Sequence, residues 1–150
     1  MVDIPIFFVR FPDGPQEYYQ GHPCVSGRFS TNAENFEGEN HDVLLAVDTG
    51  ADHMAIDHDF ALSLGMSPAG FITANSEENV PYFQGAIRID GYEKIIPASL
   101  VSRPLKKSGL PFQLVLGRIV LNRFDMVYRP SGGGSFLRTL DLQQGSVEAS

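Results

Sequence analysis

A chain of 150 residues, 43% hydrophobic and 19% charged, holds one domain's worth of residues and is long enough to bury roughly two thirds of its unfolded surface. That composition excludes a disordered tail, a collagen-like fibre and a coiled coil, and the single Cys24 excludes an intrachain disulfide or a multi-cysteine metal centre. The net charge of −7 argues against nucleic acid as a partner, and no apolar run approaches the ~18 residues of a bilayer span.

Prolines and glycines punctuate short segments along the whole chain. Residues 4–10 read as a strand, closed by the turn Phe11-Pro12-Asp13-Gly14-Pro15. Residues 16–42 are polar, with one strand near residues 25–30. Residues 43–47 form a continuous apolar run, the pattern of a strand buried on both faces. A short strand follows at 53–56. Asp57 or Asp59 then caps a brief helix over 60–64, with Gly65 as its stop. Residues 71–74 and 82–90 are strands around the polar tip Asn75-Ser76-Glu77-Glu78-Asn79, and Asp90-Gly91 turns the chain into a strand over 92–101. Residues 114–116 are a buried strand, and 118–124 a short helix despite the β-branched pair Ile119-Val120. Strands at 125–129 and 136–142 flank the connection Pro130-Ser131-Gly132-Gly133-Gly134. Residues 143–150 have little to bury and read as a frayed tail. There is no internal repeat. The sum is an all-β domain, a closed barrel or sandwich, with one or two short helices.

Charge is uneven. Residues 1–80 carry thirteen Asp and Glu against two Arg, and residues 81–150 carry five acids against nine Lys and Arg. These complementary halves can attract within or between subunits. Arg103 with Lys106 and Lys107 is the one basic cluster and reads as a solvated loop. The apolar run after Asp3 contains Pro5 and does not read as a signal peptide. With a free thiol that suits a reducing compartment, a cytoplasmic location is expected, with no membrane contact within this chain.

One motif carries chemistry. The apolar run 43–47 ends in Asp48-Thr49-Gly50-Ala51-Asp52. An ionised carboxylate beside a buried strand is costly unless something satisfies it. Gly50 permits a tight turn and a close ligand approach, and Thr49 supplies a hydroxyl. Such a strand presents a carboxylate at a rigid position. A second element, Leu114-Val115-Leu116-Gly117-Arg118, is an apolar strand ending in Gly-Arg.

Asp48-Thr49-Gly50-Ala51-Asp52, followed some 65 residues later by Val115-Leu116-Gly117-Arg118, resembles the retropepsin-like aspartic proteases, closest in pattern to their single-domain bacterial and cellular members. The likeness takes in Thr73-Ala74-Asn75 entering a hairpin and Asn122-Arg123-Phe124-Asp125-Met126-Val127-Tyr128, and covers roughly residues 43–137. It implies a closed β-barrel with one lobe per chain and a protease domain over 43–142, which leaves 1–42 as an N-terminal extension, either extra strands packed on the domain or a cover over it, and 143–150 as the tail. It also implies a homodimeric aspartic endopeptidase acting on polypeptides. Asp48 maps to the catalytic carboxylate. The chain holds a single Asp-Thr-Gly, so the second carboxylate comes from a second copy.

By the same resemblance, Thr49 bonds across the dimer axis and Gly50 offers its carbonyl to the substrate backbone. Asp52 pairs with Arg118. Residues 74–83 form a flap over the substrate. Gly50, Ala51, Asp52, Ala74, Asn75 and Ser76 are the expected substrate contacts. Two features depart from the family: Ile119 stands where most relatives carry Asp or Asn, and residues 1–42 have no clear counterpart.

Rival readings are weaker. His53 and His58 are five apart rather than i, i+4, and an EF-hand loop fails at Gly50; no metal and no cofactor is expected. Cys24 has no local base to make it a nucleophile. The Gly132-Gly133-Gly134 run lacks the Lys-Ser/Thr of a phosphate loop. His22 and His41 lie in polar stretches and are expected to be exposed, and Met54 and Met66 to fill the core. The competing class is a non-catalytic dimerisation or peptide-binding domain on the same fold.

Overall fold

The structure, a computed structural model, describes residues 2–10, 21–130 and 133–140. The turn expected at Phe11–Pro15, part of the connection at 130–134, and the tail 143–150 lie outside the described residues. The described chain is mostly β, with strands β1 (Asp3–Val9), β2 (His22–Ser30), β3 (His41–Val47), β4 (Met54–Asp57), β5 (Gly70–Ala74), β6 (Glu77–Ile89), β7 (Ile96–Arg103), β8 (Leu114–Leu116), β9 (Phe124–Val127) and β10 (Ser135–Thr139). Two short helices, α1 (His58–Ser63) and α2 (Arg118–Leu121), follow β4 and β8.

All ten strands join one sheet in the order β5-β6-β7-β4-β8-β3-β2-β1-β10-β9, and a further β2–β6 pairing brings the sheet round on itself. Most neighbours are antiparallel; β3–β8 and β4–β7 are parallel. β2 is the branch point. One edge runs along β3 from Cys24↔Ala46 to Phe29↔His41. The other pairs Pro23 and Cys24 with β1, then Gly27 to Ser30 with β6. Gly27 sits where these ladders crowd: an added Cβ would meet Leu45 Cδ1 at 2.6 Å and the Arg88 carbonyl at 2.7 Å. A glycine in a strand interior marks this kind of backbone approach.

Two apolar clusters lie on opposite faces of the central strands. The larger is built on fully buried Phe29, Leu45, Ile56, Phe83, Leu100 and Leu114. The smaller comprises Cys24, Ala46, Leu105, Phe112 and Val115. Strand alternation distributes the side chains between them. In β3, Val43, Leu45 and Val47 enter the large cluster while Ala46 joins the small one and Leu44 packs against it. β8 divides the same way, Leu114 and Leu116 against Val115. This is the physical origin of the unbroken apolar run at 43–47. Met54 is buried in the large cluster and Met66 packs against it.

Several boundaries differ from those expected. The polar tip at 75–79 contracts to a two-residue turn: Asn75 and Ser76 have φ of 52° and 65°, the left-handed pair that a tight hairpin uses. β6 therefore starts at Glu77. Residues 92–95 are not a strand; Tyr92 N–H donates to the Ile89 carbonyl (2.9 Å), and its ring meets Phe124 edge-on at 4.9 Å. β7 instead runs to Arg103 because β4 pairs with its far end, from Met54↔Leu100 to Asp57↔Arg103. α1 starts two residues early, with Asp57 as its cap: Oδ2 accepts the Phe60 N–H (3.1 Å) and Oδ1 the Lys106 N–H (3.0 Å). That satisfies a carboxylate only 2% exposed. α2 stops at Leu121, and the chain re-enters the sheet at buried Phe124.

β1 and β10 are held at their ends by a bidentate pair, Arg138 Nε and Nη2 donating to Asp3 Oδ1 and Oδ2 at 2.7 and 3.0 Å. The Arg138 hydrogen bonds lower the Asp3 pKa below its ordinary 3.8. A carboxylate depressed in the folded state stabilises above its unfolded pKa and loses that contribution as pH falls through the folded value. Asp3→Asn should therefore lower the thermal midpoint at pH 7, and the gap from wild type should narrow as the pH falls below 3.8, the ordinary carboxyl value. A gap that persists unchanged in acid would assign the loss to something other than this pair.

Candidate active site

β3 leaves the sheet at Val47, and Asp48 is the first residue beyond it. The Asp48 N–H donates to the Leu116 carbonyl at 3.2 Å, so β8 still holds the backbone there. The loop then closes on Asp48 itself. The Gly50 N–H donates to Oδ1 of the carboxylate (2.9 Å), and the Ala51 N–H donates to the Asp48 carbonyl (3.2 Å). A Cβ on Gly50 would stand 3.3 Å from that same Oδ1, so the absence of a side chain keeps the carboxylate clear. Asp48, Thr49 and Gly50 are all exposed. A carboxylate that accepts a backbone N–H has a fixed direction and remains open to a ligand.

Arg118 fixes the loop from outside. Its N–H donates to the Ala51 carbonyl (2.9 Å), its Nη1 donates to the Thr49 carbonyl (3.0 Å), and its guanidinium forms an ion pair with Asp52. The expected Asp52–Arg118 pair is thus present. With both side chains about half exposed or more, such a pair contributes little energy by itself; its effect is to set position. Gly117 has an equally local reason. A Cβ there would lie 2.7 Å from the His53 carbonyl and 2.8 Å from that of Ala51, so Gly-Arg is the sequence that lets β8 pass against the loop.

Beside Asp48 opens a cleft of about 720 Å³. Gly50, Ala51 and Asp52 line it, as do Thr73, Ala74 and Asn75 at the tip of the β5–β6 hairpin. Ser76, the next residue, does not. The facing wall is apolar and comes from Leu105, Leu110, Phe112 and Val115. Thr49 does not line this cleft; it borders a second hollow of about 310 Å³ with Pro23, Val47, Met126 and Tyr128, and Asp48 lines both spaces.

The apolar wall and His22 were not foreseen as parts of the site. His22 is half-buried rather than exposed: its ring meets Phe112 edge-on at 5.3 Å, and burial lowers its pKa below 6.5. His41 is half-buried as well. Cys24 sits beneath the wall, its thiol pushed up to about 12 by burial, which leaves no thiolate for nucleophilic attack at neutral pH. Arg103, read as part of a solvated loop, lines the cleft and pairs with Glu77 at 3.5 Å. The signal for the wall was available in Leu105, Leu110 and Phe112, three apolar residues within a turn-rich segment that would otherwise be polar.

The fold is that of the retropepsin-like aspartic proteases. Among solved structures, the chain is similar to a retropepsin-like aspartic protease from Rickettsia conorii, with a TM-score of 0.57 and 19% sequence identity over 91% of this chain and 90% of that one. No family model matches the sequence, and no curated protein matches it.

Gly117→Ala should cost about 1–3 kcal/mol in urea unfolding, the usual penalty of forcing atoms into a packed site. An unchanged midpoint would show that the Ala51 and His53 carbonyls move aside freely.

Proposed function

We propose that this chain is a homodimeric aspartic endopeptidase, with one Asp48 from each of two copies forming the reactive pair. The observation that carries the reading is an exposed carboxylate, oriented by its own Asp-Thr-Gly loop, lining a cleft that the tip of the β5–β6 hairpin also lines, on a retropepsin-like fold. The sheet that returns on itself through β2 and β6 is read as the closed barrel of one lobe, and each lobe contributes half of a substrate channel.

The chemistry follows from bringing two carboxylates together. At a separation of about 3 Å they cannot both ionise, so the pair holds one proton. The ionised member takes a proton from a water between them as the water oxygen attacks the peptide carbonyl carbon. The protonated member donates to the carbonyl oxygen, giving a tetrahedral diol. Collapse of the diol expels the amine, which leaves with a proton returned through the pair. The resulting pKa values belong to the pair, not to either subunit.

Thr49 flanks Asp48 on the side away from the cleft, where a bond across the two-fold axis would hold the loops in register. Exposed Ile119 on α2 and Tyr128 beyond β9 supply apolar surface near the same loop for the second copy. The Gly50 carbonyl and the Ala51, Asp52, Ala74 and Asn75 positions meet an extended peptide, and Ser76 reaches it when the hairpin closes as a flap. Closure excludes water from the pair.

Asp48→Asn should reduce peptide cleavage by at least about a hundredfold and leave the unfolding midpoint near that of wild type. A variant that cleaves normally would refute the catalytic assignment and favour a binding module. Analytical ultracentrifugation should show a concentration-dependent dimer, and mixing wild type with an excess of Asp48→Asn should suppress activity by forming mixed pairs. A protein that cleaves peptides as a strict monomer would overturn the two-copy mechanism.

A further inference from the structure

Among the described residues, five titratable side chains line the cleft: His22, Asp48, Asp52, His53 and Arg103. Asp48 belongs to the reaction and Asp52 is matched by Arg118. His22 is held against Phe112. Arg103 alone in this set carries a permanent positive charge, at the C-terminal end of β7. The carboxylate oxygens of its register partner Asp57 accept the Phe60 and Lys106 N–H groups. The guanidinium meets Glu77 at 3.5 Å, with the Glu77 side chain 69% exposed.

A contact this long and this exposed contributes little and is readily exchanged. Arg103 also borders a smaller hollow of about 230 Å³ with Glu77, Asp59 and Lys107. It therefore forms the partition between that hollow and the cleft. The same side chain thus borders both Glu77 and the cleft. On the cleft side its neighbours are apolar Val101 and Leu105. An ion pair formed there is less screened than one in open solvent.

We infer that Arg103 is a specificity-determining residue that selects peptides carrying an acidic side chain in the subsite next to the β5–β6 hairpin, with Glu77 as the resident carboxylate that the substrate displaces. This rests on reading the cleft as a peptide site. Successive side chains of an extended peptide point to opposite sides. The acceptable class is thus an acidic residue near apolar ones, the latter meeting the wall of Leu110, Phe112 and Val115.

Displacement makes a prediction that a purely structural pair does not. Glu77→Gln removes the competitor and should increase the preference for acid, whereas Arg103→Gln should abolish it. The measurement is fluorescence anisotropy of tagged octapeptides on the full chain carrying Asp48→Asn, so that binding is read without turnover. The peptides are apolar, with each position in turn made Glu or its neutral isostere Gln. At one position Glu should bind up to about fivefold tighter than Gln, the range of a half-exposed pair, and the ratio should approach one in about 1 M salt. Adding Glu77→Gln should raise that ratio, and adding Arg103→Gln should return it to one, with circular dichroism checking that each variant is folded. No position with a Glu preference, or a preference lowered equally by both substitutions, would overturn the inference. Cleavage assays of wild type against Asp48→Asn test the peptidase reading separately. If both cleave alike, that reading falls while the anisotropy ratios still decide the role of Arg103.

Discussion

From Val43 to Val47, β3 has no face to give to solvent. Val43, Leu45 and Val47 pack into the large cluster on one side, and Leu44 and Ala46 lie against the small one on the other. The strand is also bordered along both edges, by β2 and β8. A segment confined in four directions cannot slide or rotate without opening a cavity, and a slip of one residue would exchange the two apolar sets. Asp48 is the first residue released from this confinement, so its carboxylate inherits a position that the whole sheet has determined.

Precision beyond that point comes from short polar contacts rather than from burial. The Gly50 N–H orients the Asp48 carboxylate, and Arg118 gathers Thr49 and Asp52 around its guanidinium and Ala51 on its backbone N–H. Exposed interactions of this kind are weak individually. Arg118 is nevertheless effective because its backbone is anchored by β8 and its planar head presents several donors at fixed angles. The division of labour is plain: packing supplies the energy, and polar contacts supply the aim.

The parts of the fold legible in the sequence were those written in local patterns. The unbroken run at 43–47, a cap at Asp57 or Asp59 with its Gly65 stop, and the Asp-Thr-Gly and Gly-Arg elements each carry their own signature; the Phe60 N–H is what selects Asp57. The Asp52–Arg118 pairing came with the resemblance, and the geometry explains it through Gly117. What was not legible depends on contacts between distant segments. The course of β2 between β3, β1 and β6 has no local mark except Gly27, whose crowding arises from Leu45 and Arg88. His22 looked exposed in a polar stretch because Phe112, ninety positions away, is what covers it. The cleft wall was hidden in the same way. Leu105 and Phe112 sit among turn residues and lysines, and their burial becomes evident only when β8 places Val115 beside them. The extension of β6 back to Glu77 needed the left-handed pair at Asn75 and Ser76, which polar composition alone does not distinguish from a longer loop.

The seam between β1 and β10 joins Asp3 to Arg138, across nearly the full length of the chain. The entropy of closing a loop grows only slowly with its length, so this seam weighs modestly on equilibrium stability. Its effect falls on time. A sheet whose edge must wait for both ends of the polypeptide has a high mean separation between contacting residues, and such topologies fold slowly. During that wait β1 and β9 have no edge partner in β10, and apolar Phe7 and Tyr128 remain near open strand edges. A protein built this way is most vulnerable to association with the wrong neighbour before the seam closes, when its correct neighbour, if the two-copy mechanism holds, is another copy of itself.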